Sequence, residues 1–212
     1  LLYGALGYKF DEKNKELLHT PFAQFLKVTS EVRTLLKISG RQYLAARLMG
    51  GVLWSYGNQT VAPYSEQFYI GGANSLRAFT VRSLGPGTYN PGKDARYGYL
   101  DQTGDIKLEA NVEYRFPIFG DLYGATFLDA GNVWLLRKDK SRPGGQLTWK
   151  DLAKSIALNT GIGVRYDLDF LVIRLDLGVA LHVPYDTGKS GYYNIPKFKD
   201  GLGLHFAIGY PF

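Results

Sequence analysis

Cysteine is absent from this chain of 212 residues, which removes disulfide frameworks and thiolate metal sites from consideration. Histidine occurs only at positions 19, 182 and 205, without metal-ligand spacing. No stretch approaches the roughly 20 mostly apolar residues of a spanning helix. The longest uncharged run, 48–65, carries Asn58, Gln59, Thr60 and Pro63 and does not cross a bilayer as a helix. Lys and Arg exceed Asp and Glu by 25 to 19, yet no basic block gathers them, so nothing points to nucleic acid. A signal peptide and an initiator Met are missing too. The chain opens mid-pattern on Leu1-Leu2-Tyr3, and the expectation is a C-terminal fragment of a longer, exported protein.

What is present is aromatic, small and alternating. Aromatics make up 15% of the chain, with 16 Tyr and 12 Phe beside 26 Gly, a mixture that suits an all-β protein with aromatic belts. The segment 106–116 is the cleanest. Its even positions are Ile, Leu, Ala, Val, Tyr and Phe, and its odd ones Lys107, Glu109, Asn111, Glu113 and Arg115. In a strand these sets project to opposite faces. Eleven residues of unbroken alternation is long for a soluble strand of about five or six and matches the roughly 9–11 that span a membrane while tilted. The same period recurs over 26–38, 44–54, 122–134, 156–166 and 171–181, and with the opening segment and the terminal one predicts about eight strands. The chain ends on Phe206-Ala207-Ile208-Gly209-Tyr210-Pro211-Phe212, apolar and aromatic where soluble termini are usually solvated. A closed barrel accounts for this, its last strand pairing with its first and an interfacial aromatic anchoring the end. Gly201, Gly203, Gly209 and Pro211 fall in that strand. Because Pro cannot donate to a ladder, weak closure is expected near Pro211.

The connections are asymmetric. Short ones, at 117–121 and 167–169, read as turns, and long ones, near 55–104, 135–154 and 183–201, as loops. Short periplasmic turns and long extracellular loops are the habit of outer-membrane barrels, and loops beyond about 12–15 residues are usually functional.

The longest loop carries Gln67-Phe68-Tyr69-Ile70-Gly71-Gly72-Ala73-Asn74-Ser75-Leu76-Arg77-Ala78-Phe79 and then Ser83-Leu84-Gly85-Pro86. It resembles the sixth-extracellular-loop signature of the BamA/TamA family (the outer-membrane protein eighty-five, or bacterial surface antigen, superfamily), roughly F-x-x-G-G-x-x-S-[VIL]-R-G-[FY] with [IL]-G-P shortly after. Residues 125–134 are similar to the family's F-x-D-x-G-x-V-W strand, 111–117 to its [SN]-x-E-[YF]-R-[FV]-P strand, and 206–212 to its C-terminal assembly signal. Four blocks in the right order, over about 65–212, make the resemblance specific.

The resemblance implies an antiparallel transmembrane β-barrel of about sixteen strands, half of it present here as residues 1–212, preceded in the parent protein by periplasmic repeats. It implies that the loop folds into the lumen and that Arg77 pairs there with Glu113 and Asp129, Phe127 packing beside it. The residues agree: a carboxylate in a spanning strand is costly toward lipid, so Asp129 should point inward. Gly71, Gly72, Ser75, Leu76, Ala78, Phe79, Gly85 and Pro86 form the loop motif, and Phe206, Ile208, Gly209, Tyr210 and Phe212 the terminal signal and seam. The family's Gly after the Arg is Ala78 here; were that position left-handed, Ala would cost about 1 kcal/mol or more.

The expected function is insertion of β-barrel proteins into the bacterial outer membrane. The implied partners are the bilayer, client barrels and accessory lipoproteins; no cofactor or metal is called for. A TamA-like helper or a two-partner-secretion pore is the alternative, a passive porin or a soluble lipocalin-like carrier a more distant one, and self-association of an eight-strand piece remains open. Enzymatic chemistry is not expected. Gly71-Gly72 is followed by no Lys-Ser/Thr and no helix pattern, Glu113 and Asp129 stand in no Ser/His constellation, and His205 reads as a lumen or interface side chain.

Overall fold

The computed structural model describes residues 16–17, 20–90 and 102–212. Among them there is no α-helix; four short 3-10 turns sit in the loops. β1 (Glu16–Leu17) and β2 (Thr20–Pro21) form a two-residue pair. The remaining strands are β3 (Gln24–Ser39), β4 (Gln42–Tyr56), β5 (Ile106–Phe119), β6 (Leu122–Trp134), β7 (Ala157–Asp167), β8 (Val172–His182) and β9 (Leu202–Ile208). They make one antiparallel sheet in strict chain order, β3 through β9. All seven correspond to segments that alternate in the sequence. The expected opening strand lies outside the described residues.

The sheet's two faces follow the alternation. On β4 to β6 the even side chains face outward, with Val112 opposite Leu128 and Ala110 opposite Ala130. The odd ones face inward, where Glu109, Asn111, Glu113 and Asp129 are buried. Connections on one side are tight: β3–β4 and β5–β6 turn through Gly40-Arg41 and Gly120-Asp121. On the other side the loops are 57–105, 135–156 and 183–201. The described part of the first, 57–90, packs on the inward face, where Phe68, Ile70, Leu76 and Leu84 join Leu53 and Val133 in one core. Removing these side chains from water at about 25 cal/mol/Å² is what keeps so long a connection down. Among the described residues the sheet is not closed: β3 and β9 each pair along one side only.

Three expectations are corrected. The terminal strand does not run to Phe212. It ends at Ile208, and the chain turns at Gly209, whose φ of 85° suits Gly and few other residues. The last ladder bond is Gly209 N–H to the Val172 carbonyl, 2.7 Å, so Pro211 lies beyond the ladder it was expected to weaken. Tyr210 and Phe212 are not headgroup anchors. Their rings lie 4.1 and 5.2 Å from the guanidinium carbons of Arg115 and Arg47, on the inward face. Trp134, at the end of β6, is covered as well. It is 1% exposed because residues 144–155 fold over it and its indole N–H donates to Ser155 Oγ at 3.0 Å.

Candidate functional site

Three strands, two of them neighbours, supply the acids of this cluster. β5 places Glu109 and Glu113 two pairs apart, β6 places Asp129 opposite Asn111, and β8 places Asp176. The 57–105 loop supplies the cation. Its tip is shaped by Gly71 and Gly72, both at positive φ. The Gly71 N–H donates to Ser75 Oγ at 3.1 Å, and the Gly72 N–H to the Phe79 carbonyl at 2.8 Å. Leu76 fills the core and Phe79 packs against it. Between these two apolar anchors Arg77 is directed at the wall.

Arg77 is 1% exposed. Its Nε and Nη2 donate to the two oxygens of Asp129 at 2.9 and 2.8 Å, a forked pair, and its own backbone N–H reaches Asp129 at 3.2 Å. Nη1 donates to Glu113, and the guanidinium carbon lies 3.5 Å from the centre of the Phe127 ring. Fixed fork geometry makes Arg suited to such an arrangement and Lys not. Asn111 and Asn159 complete Asp129 at 2.9 and 3.0 Å. Arg77, Glu113, Asp129 and Phe127 are therefore brought together.

Five residues not singled out from the sequence extend the cluster. Arg165 donates to Glu113 at 2.9 Å and lies 2.6 Å from Asp176. Arg174 donates to Asp176 at 3.0 Å and to the Ala73 carbonyl at 2.9 Å. Arg47 donates to the Asn74 carbonyl at 2.8 Å and pairs with Glu109, which also accepts from Ser75 Oγ at 2.8 Å. The loop tip is thus gripped by strands β4, β5, β6 and β8. The signal was present as charge recurring on the inward face of neighbouring strands. What the sequence lacked was which strand stands beside which.

Glycines provide the other half of the seat. A Cβ at Gly178 on β8 would stand 2.6 Å from Ala78 N, and one at Gly203 on β9 2.7 Å from the Arg77 carbonyl. Both contacts are to loop backbone, which has nowhere to go. Ala78 itself, 8% exposed, is not among the residues at positive φ. The expected strain is therefore absent; in this stretch left-handed backbone falls on Gly71, Gly72, Arg82, Gly85 and Gly87. Gly85 packs against Val133 and Asn132, with Pro86 next to it.

Chemically the cluster is a hold. Each acid lies within 3.0 Å of a cation: Asp129 of Arg77, Glu113 of Arg165, Asp176 of Arg165, Glu109 of Lys107. Phe206 and Ile208 project outward from β9, 68% and 70% exposed, while His205 faces Asp176 and the Arg77 backbone. In the 135–156 loop the Ser141 hydroxyl and the Arg142 guanidinium hold Asp139 down at about 2. Burial pushes Asp105 up, against the Leu136 N–H that it accepts.

The Omp85 superfamily domain matches residues 18–212. Over 185 residues the chain is 28% identical to the outer membrane protein assembly factor BamA of Nitratidesulfovibrio vulgaris, covering 86% of this chain and 20% of that protein. Over 167 residues it is 29% identical to the sorting and assembly machinery component 50 homolog A of Xenopus laevis, covering 77% and 34%. It therefore spans only about a fifth and a third of these two relatives. Among solved structures, BamA from Haemophilus ducreyi lacking POTRA domains 1–3 superposes with a TM-score of 0.60 at 16% identity, over 96% of this chain and 40% of that one. At that identity the likeness is one of fold.

Proposed function

The chain belongs to the Omp85 superfamily, and from that premise we propose that it is the C-terminal barrel part of a factor that assembles β-barrel proteins in the bacterial outer membrane. The observation that carries the reading is the charge-matched seat. A long loop folds onto the inward face, and its Arg77 is held between Glu113 and Asp129 while the last strand keeps a free edge.

The mechanism is physical. An open strand edge offers a row of unpaired N–H and C=O groups that templates pairing with another strand. β9 offers such an edge, seven residues long. The loop seated beneath it bears on β9 at Gly203, so a docked loop fixes where that edge stands. In the parent protein the edge meets either the barrel's first strand or an incoming client strand, and accessory lipoproteins act from the periplasm.

Depletion of the parent gene followed by quantitative outer-membrane proteomics tests this. Broad loss of barrel proteins with cell death is the expected result. Loss of one or a few exported proteins in viable cells would assign it instead to a dedicated transporter or a TamA-like helper. No change in any other protein would remove assembly from consideration.

A further inference from the structure

On the outer face, where no part of the seat reaches, the 135–156 loop bends over the sheet and leaves an apolar groove of about 380 Å³, within the usual range for a bound small molecule. One wall is the outward face of β4 and β5, with Val52, Ile106 and Leu108; the other is the loop, with Leu147, Trp149 and Leu152. Gly50 forms the floor. A Cβ there would find no heavy atom nearer than 3.9 Å. The loop's root is pinned by the Trp134–Ser155 hydrogen bond, so this wall has a fixed position.

The depth of the groove in the membrane is marked by Trp54 and Tyr56, stacked edge to face on the outward side of β4 with centroids 6.5 Å apart. Such rings sit at headgroup level. Val52 stands one outward position further into the membrane, on the side of the long loops, which is the outer leaflet. Trp149 is 81% exposed at the groove's lip. Lys150 follows it, and Lys154, two residues beyond Leu152, lines the adjoining pocket with Trp134, Asp151 and Asp186; both lysines are exposed. Across 135–156 there are six basic and two acidic side chains, and Asp139 is committed to Arg142 at 2.9 Å.

We infer that this groove holds an acyl chain of a phosphorylated outer-leaflet glycolipid whose phosphates meet Lys150 and Lys154. The loop's excess of basic side chains beside an apolar slot matches a lipid carrying more than one phosphate, and a single zwitterionic headgroup leaves that charge unanswered. The inference uses only the outer-membrane location and stands apart from the assembly reading.

Native mass spectrometry of the full-length parent protein, in detergent doped with hexa-acylated diphosphoryl lipid A or with phosphatidylethanolamine, tests it. Lipid A should stay bound at collision energies that strip phosphatidylethanolamine. The pairs Trp149→Ser/Leu152→Ser and Lys150→Glu/Lys154→Glu should each lower its retention roughly tenfold, about 1.4 kcal/mol. Heat-dependent gel mobility of each variant verifies that the barrel is folded. Equal retention of both lipids, equal retention of phosphatidylglycerol, or lipid A binding unmoved by either pair would each overturn the assignment.

Discussion

On β5 the inward positions are Lys107, Glu109, Asn111, Glu113 and Arg115; on β9 they are Gly203, His205 and Ala207. Both strands alternate with the same period and both lie against the loop, yet they meet it by opposite means. β5 holds it with charge: Glu113 alone accepts from Arg77, Arg115 and Arg165. β9 holds it by leaving a side chain out, so that the Arg77 and Ala78 backbone rests on Gly203. One contact is strong and directional, the other a matter of shape. The charged wall sets whether the loop is docked, and the glycine wall sets how closely the last strand can approach it.

The largest effect tests the charged wall. Arg77→Ala leaves Asp129 and Glu113 in a buried site without their common partner, which typically costs about 3–5 kcal/mol. The unfolding free energy of the full-length protein in a denaturant series should fall by that amount. Arg77→Lys should recover only part of it, since one ammonium cannot reproduce the fork to Asp129. Equal stability of all three proteins would mean that the apolar anchors Leu76 and Phe79 hold the loop alone.

The next tests the glycine wall. Gly203→Val puts atoms into loop backbone that cannot move aside, and overpacking of this kind costs about 1–3 kcal/mol. The two walls make separate contacts with one loop, so the costs of Gly203→Val and Arg77→Ala should be non-additive, an undocked loop no longer feeling the added methyls. A double-mutant cycle measures this. Strict additivity would show that the strand is indifferent to the loop.

This contrast also separates what could be read in the sequence from what could not. The strands of the main sheet were visible because lipid on one side and a packed lumen on the other force strict alternation. Arg77, Glu113, Asp129 and Phe127 were named because four blocks of residues resemble one family. Arg165, Arg174 and Asp176 stood plainly on the inward face, but joining them to the seat needs the strand order and the register, which only pairing supplies. The glycine wall was not legible. A missing side chain leaves no mark until the backbone that fills its space is known, and Gly203 had been read only as a weakness of the seam. The tail was misread because the alternation continues through Tyr210 and Phe212 while the backbone has already turned at Gly209.

A third variant sharpens the seat at its centre. Were Ala78 strained, Ala78→Gly would stabilise. Because Ala78 is absent from the positive-φ residues and is buried in the core, the substitution should instead destabilise by about 0.5–1 kcal/mol, through the added freedom of Gly in the unfolded chain. Denaturant midpoints at unchanged slope decide the sign.

The smallest effect concerns the end of β9. With the ladder complete at Gly209 and Pro211 outside it, Pro211→Thr restores a donor where no strand waits to accept. Its effect on client insertion should be nil, and any loss of stability reflects the packing of this buried side chain and not the ladder. Gly209→Ala is the informative partner, because a φ of 85° strains any residue with a Cβ by about 1 kcal/mol or more. If the proline variant shifts insertion while the glycine variant does not, the strand extends past Gly209 in the membrane and the seam is longer than the described ladder. If the glycine variant alone shifts it, the turn at Gly209 is what ends the edge that a client strand can use.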